Sequence, residues 1–134
     1  MNCKKIALII VAIIEFIIIL FVYGVYDKSY KEQRKLTYIF AEVSPDNAYK
    51  IKFYEIGVTY PHGSTNVDIA VSYKGETRRY ITIEVHNEGG VTKDNFNIQW
   101  MENGAIINIT QCDAPNITYR IYWEDVFGER TKNN

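Results

Sequence analysis

Paired cysteines are missing from this chain. There are two in 134 residues, Cys3 and Cys112. Cys3 precedes a long apolar run and Cys112 lies far beyond it. If that run crosses a bilayer, the two sit on opposite sides and no internal disulfide supports the fold. The pattern is that of exported domains rather than small disulfide-rich secreted ones. An excess of one charge is missing as well. Fifteen Lys and Arg stand against sixteen Asp and Glu, a formal net charge of -1. A nucleic-acid binder needs a clustered basic footprint, so nucleic acid is excluded as a partner. Histidine is scarce, with only His62 and His86 to serve as imidazole bases or ligands. The sequence also has no P-loop, no Gly-rich dinucleotide fingerprint, no nucleophile elbow and no Cys-x-x-Cys pair.

What is present begins with hydrophobicity of uneven distribution. Hydrophobic residues make up 47% of the chain, but a large share falls within residues 1–26. Ile6 to Tyr26 is apolar except for Glu15 and Gly24. As a helix rising about 1.5 Å per residue, it covers roughly 30 Å, the thickness of a bilayer's hydrocarbon core. Lys4 and Lys5 precede it, and Tyr23 and Tyr26 stand at its far end, where amphipathic rings favour the interface. The run is too long for a typical cleaved signal and no small-x-small site follows it. The expectation is an uncleaved anchor, with the lipid bilayer as its partner.

Glu15 lies almost at the middle of this helix. A charge there costs roughly 2.5–3.5 kcal/mol, and each isoleucine returns about 0.3–0.6. The eight isoleucines of the run offset the penalty, so insertion survives. The state expected there is a neutral, protonated acid. Three roles are open to it: a tolerated polar residue, a weak contact to a second membrane helix, or a relay. The last lacks further polar stations on this helix. The charges give conflicting orientations. Lys28, Lys31, Arg34 and Lys35 after the run outnumber Lys4 and Lys5 before it. A short basic N-terminus before a first apolar segment is nevertheless how export signals look, and long following domains cross largely regardless of charge. The expected location is the cell membrane, single-pass, with the C-terminal domain outside the cytoplasm.

Beyond Asp27 the hydrophobic period falls to two, the mark of half-buried strands. In Leu36–Phe40 apolar residues fill both faces, a strand expected to be covered on both sides, and alternation runs through Tyr49–Phe53, Val67–Tyr73, Tyr80–His86, Phe96–Trp100, Ala105–Thr110 and Ile117–Trp123. Ile51, Phe53, Val67, Ile69, Val71, Ile83 and Val85 are among the residues expected to face inward. Lys50, Lys52, Asp68, Ala70, Tyr80 and Thr82 are expected outward. Ser44-Pro45-Asp46-Asn47 reads as a type I turn, Lys74-Gly75-Glu76 as a hairpin tip, and Asn103-Gly104 as the type I′ pair of a hairpin. The fold expected is mainly β: one N-terminal transmembrane helix, then a small antiparallel β-sandwich or incomplete barrel. The domains are an anchor at 1–26, a juxtamembrane helical linker at 27–35, a β-rich extracytoplasmic domain at 36–128 and a frayed tail at 129–134.

Two segments carry a family resemblance. Ser44-Pro45-Asp46-Asn47-Ala48-Tyr49-Lys50-Ile51 and Ile98-Gln99-Trp100-Met101-Glu102-Asn103-Gly104-Ala105-Ile106-Ile107-Asn108 together resemble small membrane-anchored proteins of unknown function from Gram-positive bacteria. Those combine an SPDG-like turn, an alternating strand and a tryptophan-strand hairpin. The likeness covers roughly residues 44–110, and one such turn is too few for a propeller. It implies export and a β-rich ectodomain, and no activity.

Candidate chemistry is sparse. His62 reads as a solvated loop residue. Glu84, His86 and Glu88 at a spacing of two have the form of a metal strip, but Gly89-Gly90 draws Glu88 into a turn. Cys112 reads as a buried or inert thiol. Asn108-Ile109-Thr110 and Asn116-Ile117-Thr118 match the glycosylation pattern, which is without meaning in a bacterium and matters in a eukaryotic or viral surface protein. No catalytic residue, metal or cofactor is expected, and the chain does not read as an enzyme. The best lead is an aromatic and arginine surface of Tyr54, Arg78, Arg79, Tyr80, Arg120 and Tyr122, residue types enriched where proteins meet partners. The function expected is a membrane-tethered binding or interaction module. Its partner is another membrane or cell-envelope protein. The alternatives are a subunit of a larger membrane assembly docking through Glu15, and a metal-assisted hydrolase using Glu84, His86 and a distant carboxylate.

Overall fold

A computed structural model describes residues 3–57 and 63–128. His62 and the tail at 129–134 lie outside the described residues. The chain divides into two compact units, Met1–Arg34 and Lys35–Asn134.

The first unit is α1, Cys3–Gln33, one helix without a break at residue 26. Its Leu8–Gln33 portion is long and apolar enough to cross a membrane, and none of that window is buried. Glu15 stands exposed among exposed isoleucines. The last turns are polar. Lys31 pairs with Asp27 at 2.7 Å, the Arg34 guanidinium lies 4.4 Å from the Tyr30 ring centre, and Tyr26 and Tyr30 stack one turn apart.

The second unit contains all seven expected strands: β1 Leu36–Val43, β2 Tyr49–Ile56, β3 Ser64–Tyr73, β4 Glu76–His86, β5 Phe96–Met101, β6 Gly104–Ile109 and β7 Ile117–Tyr122. They form two antiparallel meanders, a four-stranded sheet β1-β2-β3-β4 and a three-stranded sheet β5-β6-β7. The two do not close into a barrel; they share one core, which makes the unit a sandwich. Ile51, Phe53, Val67, Ile69, Val71 and Val85 of the first sheet and Ala105, Ile107, Ile109 and Ile121 of the second are wholly buried. Fully burying such a valine or isoleucine contributes about 1.5–3 kcal/mol. Phe40 and Phe53 stack at 4.4 Å, and both lean on Phe96 of the opposite sheet. That contact sets the β1 edge beside β5. The β4 edge lies beside β7, where Tyr80 Oη donates to the Arg120 carbonyl at 3.5 Å.

Four local features differ from simple alternation. The register shifts between Ile69 and Ala70, so that Ile81 pairs with Ile69 but Arg79 pairs with Ala70. Tyr80 is therefore the extra residue of a bulge. It packs against the core instead of facing outward with Thr82. Asp68 and Ala70, expected on an exposed face, are buried. Trp123 does not end a strand; it opens a five-residue helix, α2 Trp123–Phe127, whose Trp123, Val126 and Phe127 close over the core. Finally, Met101 pairs with Gly104, so the β5–β6 turn is centred on Glu102-Asn103. Neither of those has the positive φ that a type I′ turn requires. Lys74 and Gly75 do, at φ 47 and 86, and they form the β3–β4 tip.

Candidate binding cleft

A meander reverses direction at each turn, so alternate turns gather at one end. The 44–48, 74–75 and 102–103 turns and α2 meet at the end opposite the start of β1. Each brings an inward-facing aromatic beside it. Tyr49 follows the first turn, Tyr73 precedes the second, Trp100 precedes the third and Trp123 follows β7. Their rings form a continuous array. Tyr49 stacks on Tyr73 at 4.7 Å and on Trp123 at 4.2 Å, and Trp100 lies 6.1 Å from Trp123. Such offset and stacked pairs stabilise beyond the area they bury.

The Ser44–Asn47 turn has the expected geometry. Asn47 N–H donates to the Ser44 carbonyl at 2.9 Å, and Pro45 supplies the fixed φ of the second position. The Ser44 hydroxyl and the Ala48 N–H both donate to Asp46 Oδ1. These bonds, the Ser44 hydroxyl foremost, hold the Asp46 carboxyl below its ordinary value. Asp46 is thus fixed in position and ionised at neutral pH. Burial, then Tyr73 and Asp46, push the Tyr49 phenol up, so it remains a neutral donor.

Two adjoining hollows open around this array. One of ≈ 260 Å³ lies between the Ser44–Asp46 turn and β5, with Tyr49, Trp100 and Trp123 as walls and Asp46 and Glu102 on its rim. The other, ≈ 530 Å³, continues across Tyr49, Glu102 and Trp123 to Glu124 and Asp125. Together they make one cleft with an aromatic floor and a carboxylate rim. Among the described residues, no lysine or arginine lines either hollow. The size is that of a small-ligand or side-chain pocket.

The six aromatic and arginine residues singled out from the sequence do not converge on one surface. Tyr54 lies on the outer face of the first sheet, edge-on to Tyr38 at 5.9 Å. Arg79 lies on the same face and ion-pairs with Asp68. Arg78 points the other way. It pairs with Glu76 at 2.7 Å, donates to the Val126 carbonyl at 3.1 Å and lies over the Phe127 ring, fastening α2. Tyr80 sits in the β4–β7 seam, its phenol raised by burial and then by Asp125. Arg120 and Tyr122 are on the outer face of the second sheet. Arg78 and Arg79 are consecutive and face opposite sides, Arg120 and Tyr122 belong to the other sheet, and the bulge at Tyr80 puts Arg79 rather than Arg78 and Tyr80 on the face of Tyr54. Glu15 belongs to the other unit.

Glu84 and His86 share a face, with Nε2 and Oε1 3.9 Å apart, and the Ser64 hydroxyl donates to Glu84. Glu88 is in the following turn. Among the described residues no three His, Cys, Asp or Glu side chains come together as a metal site. Cys112 is exposed, not buried, and its Sγ donates to Asn87 Oδ1 at 2.7 Å. Of the two glycosylation-like motifs, Thr118 of one donates to Asn108 of the other at 2.8 Å, across β6 and β7.

Sequence reasoning assigned Tyr49, Tyr73, Trp100 and Trp123 to the core side of their strands and missed the cleft they form. A signal was present: each of the four aromatics abuts a turn, and in a meander those turns fall at one end. No family model, curated protein or solved structure matches this chain.

Proposed function

We propose that this chain is a single-pass membrane protein that holds a small β-sandwich outside the cytoplasm as a binding module. The observation that carries the reading is the division of labour between the units. One is a helix whose apolar side chains are all exposed over a membrane-crossing length. The other is a sandwich with its own core and an open cleft at the end opposite the start of β1. Export is also what the resemblance to small membrane-anchored proteins implies, and no catalytic group is invoked. Cys112 provides the test. With Cys3→Ser it is the sole thiol, and it is exposed. A membrane-impermeant maleimide added to intact cells should label it. Labelling that appears only after lysis would place the domain in the cytoplasm.

Glu15 supports a second reading, a subunit of a larger membrane assembly. It is the one carboxylate within the apolar, unburied run Ile6–Tyr26 of α1. A carboxyl there can hydrogen-bond to a neighbouring helix, a contact worth about 0.6–2 kcal/mol. Crosslinking in native membranes should then show an adduct that Glu15→Gln keeps and Glu15→Leu weakens. An adduct unchanged in Glu15→Leu would remove this role.

A further inference from the structure

We propose that the cleft at the end of the sandwich binds an organic cation, an ammonium or guanidinium group with apolar surface beside its charge. The assignment rests on the binding-module reading and names the site and ligand chemistry within it.

Three observations converge. The first is the floor. Tyr49 and Trp123 line both hollows and Trp100 lines the smaller one. Trp123 is buried and Tyr49 is stacked on both Tyr73 and Trp123, so the half-buried Trp100 carries the ring surface left for a ligand. The negative face of an aromatic ring attracts a cation within about 6 Å. The second is the rim. Asp46, Glu102 and Asp125 line the hollows, with no basic side chain among the described residues that line them. Asp46 is held ionised by its own turn. A neutral or anionic ligand gains nothing from that rim, whereas a cation is attracted by both rim and floor. The third is the behaviour of the rest of the same aromatic array. Its other members already carry cations: Lys74 Nζ lies 5.2 Å from the Tyr73 ring centre, and the Arg78 guanidinium 5.6 Å from that of Phe127. On the other side Trp100 borders the smaller hollow with Asp46 and Glu102. The fold thus meets one aromatic array with cations on two sides and leaves the third to an incoming ligand.

The volume narrows the class. A hollow of ≈ 260 Å³ opening into one of ≈ 530 Å³ admits a lysine- or arginine-sized group with a few further atoms, and no folded partner. The cation therefore belongs either to a free amine or to a basic side chain projecting from a peptide.

Both tryptophans of the chain line the cleft, so intrinsic fluorescence reports on it directly. The full-length protein in zwitterionic nanodiscs should be titrated with spermidine, choline, N-acetyl-arginine amide and a capped Gly-Arg-Gly peptide. N-acetyl-glutamine amide is the neutral control. The expected result is a saturable change in tryptophan emission with cationic probes and none with the neutral one. The change should weaken as salt rises, because the rim is exposed to screening. Glu102→Gln combined with Asp125→Asn should weaken binding by about tenfold, the scale of one desolvated cation contact. Glu88→Gln, in a turn outside the cleft, should leave it unchanged. Tighter binding of the peptide than of N-acetyl-arginine amide assigns the source to a basic peptide; the reverse order, with spermidine or choline ahead, assigns it to a free amine. No saturable change up to about 10 mM, or an equal change with the neutral probe, overturns the proposal. A null titration together with outside labelling of Cys112 rejects the cation and leaves the exported module standing. Cation binding with Cys112 labelled only after lysis does the opposite.

Discussion

Asp68 lies on the outward face of β3 yet is only 1% exposed. Two neighbours account for this. Thr82, directly opposite on β4, donates its hydroxyl to Oδ1. Arg79 pairs with Oδ2, an oxygen that takes no hydrogen bond from any other described residue. Arg79 reaches that face only because Tyr80 is bulged out. In unbroken register Tyr80 would stand opposite Ala70, and Asp68 would lack its counter-ion. The bulge, the buried acid and the arginine form one unit. Arg79 itself is 64% exposed at its side chain, so water limits the loss when it is removed. Arg79→Ala is expected to destabilise by about 1–3 kcal/mol, the cost of a buried polar group left unsatisfied. Adding Asp68→Val should recover most of that, since it removes the stranded charge. Urea denaturation of the two variants checks this. An equal loss in both would show that Arg79 acts by packing alone.

At the scale of elements, alternation made the strands legible and parity errors mark its limits. Ile51, Phe53, Val67, Ile69 and Val71 face inward as their spacing predicts. A bulge leaves no mark in composition, so Tyr80 reads as outward by spacing when it packs against the core. Trp123 continues the parity of Ile117, Tyr119 and Ile121, which conceals the start of α2; five residues are too few to show a helical period. Asn103-Gly104 shows a different confusion. The pair resembles a type I′ turn, but Gly104 is required by the neighbouring strand and not by the turn. A Cβ built on it would lie 2.0 Å from the Ile121 carbonyl oxygen in β7. That oxygen belongs to backbone and cannot rotate away. Gly104→Ala is therefore expected to cost about 3 kcal/mol and to loosen β7 with α2 behind it. Amide hydrogen exchange should show lost protection in β6 and β7 with β1 and β2 unaffected. Full protection with unchanged stability would mean that the strands separate at no cost.

The cleft was illegible for a reason that belongs to the whole molecule. Its walls come from β2, β5 and α2, and only the meander topology brings those turns to one end. Sequence spacing carries no information about which strand ends meet across two sheets. The same topology bears on independence. Every residue of the core cluster falls between Phe40 and Phe127, so none comes from α1. The boundary between the units falls at Lys35, whose carbonyl still accepts a bond from Gly57 N–H at 2.9 Å when the chain begins there. Two outer edges that invite pairing between copies, β1 and β4, each carry a register shift, at Tyr38/Phe40 and at Ile69/Ala70. Bulges of this kind twist an edge away from further strands. A fragment from Lys35 to the C-terminus is therefore expected to fold alone as a monomer, with circular dichroism dominated by strand and a single cooperative urea transition. Sedimentation should give the monomer mass at concentrations where the full chain needs detergent. An aggregated fragment would mean that the exposed Leu36 and Tyr38 at the start of β1 need a cover that the intact protein finds at its membrane, and the sandwich would then depend on its anchor for more than location.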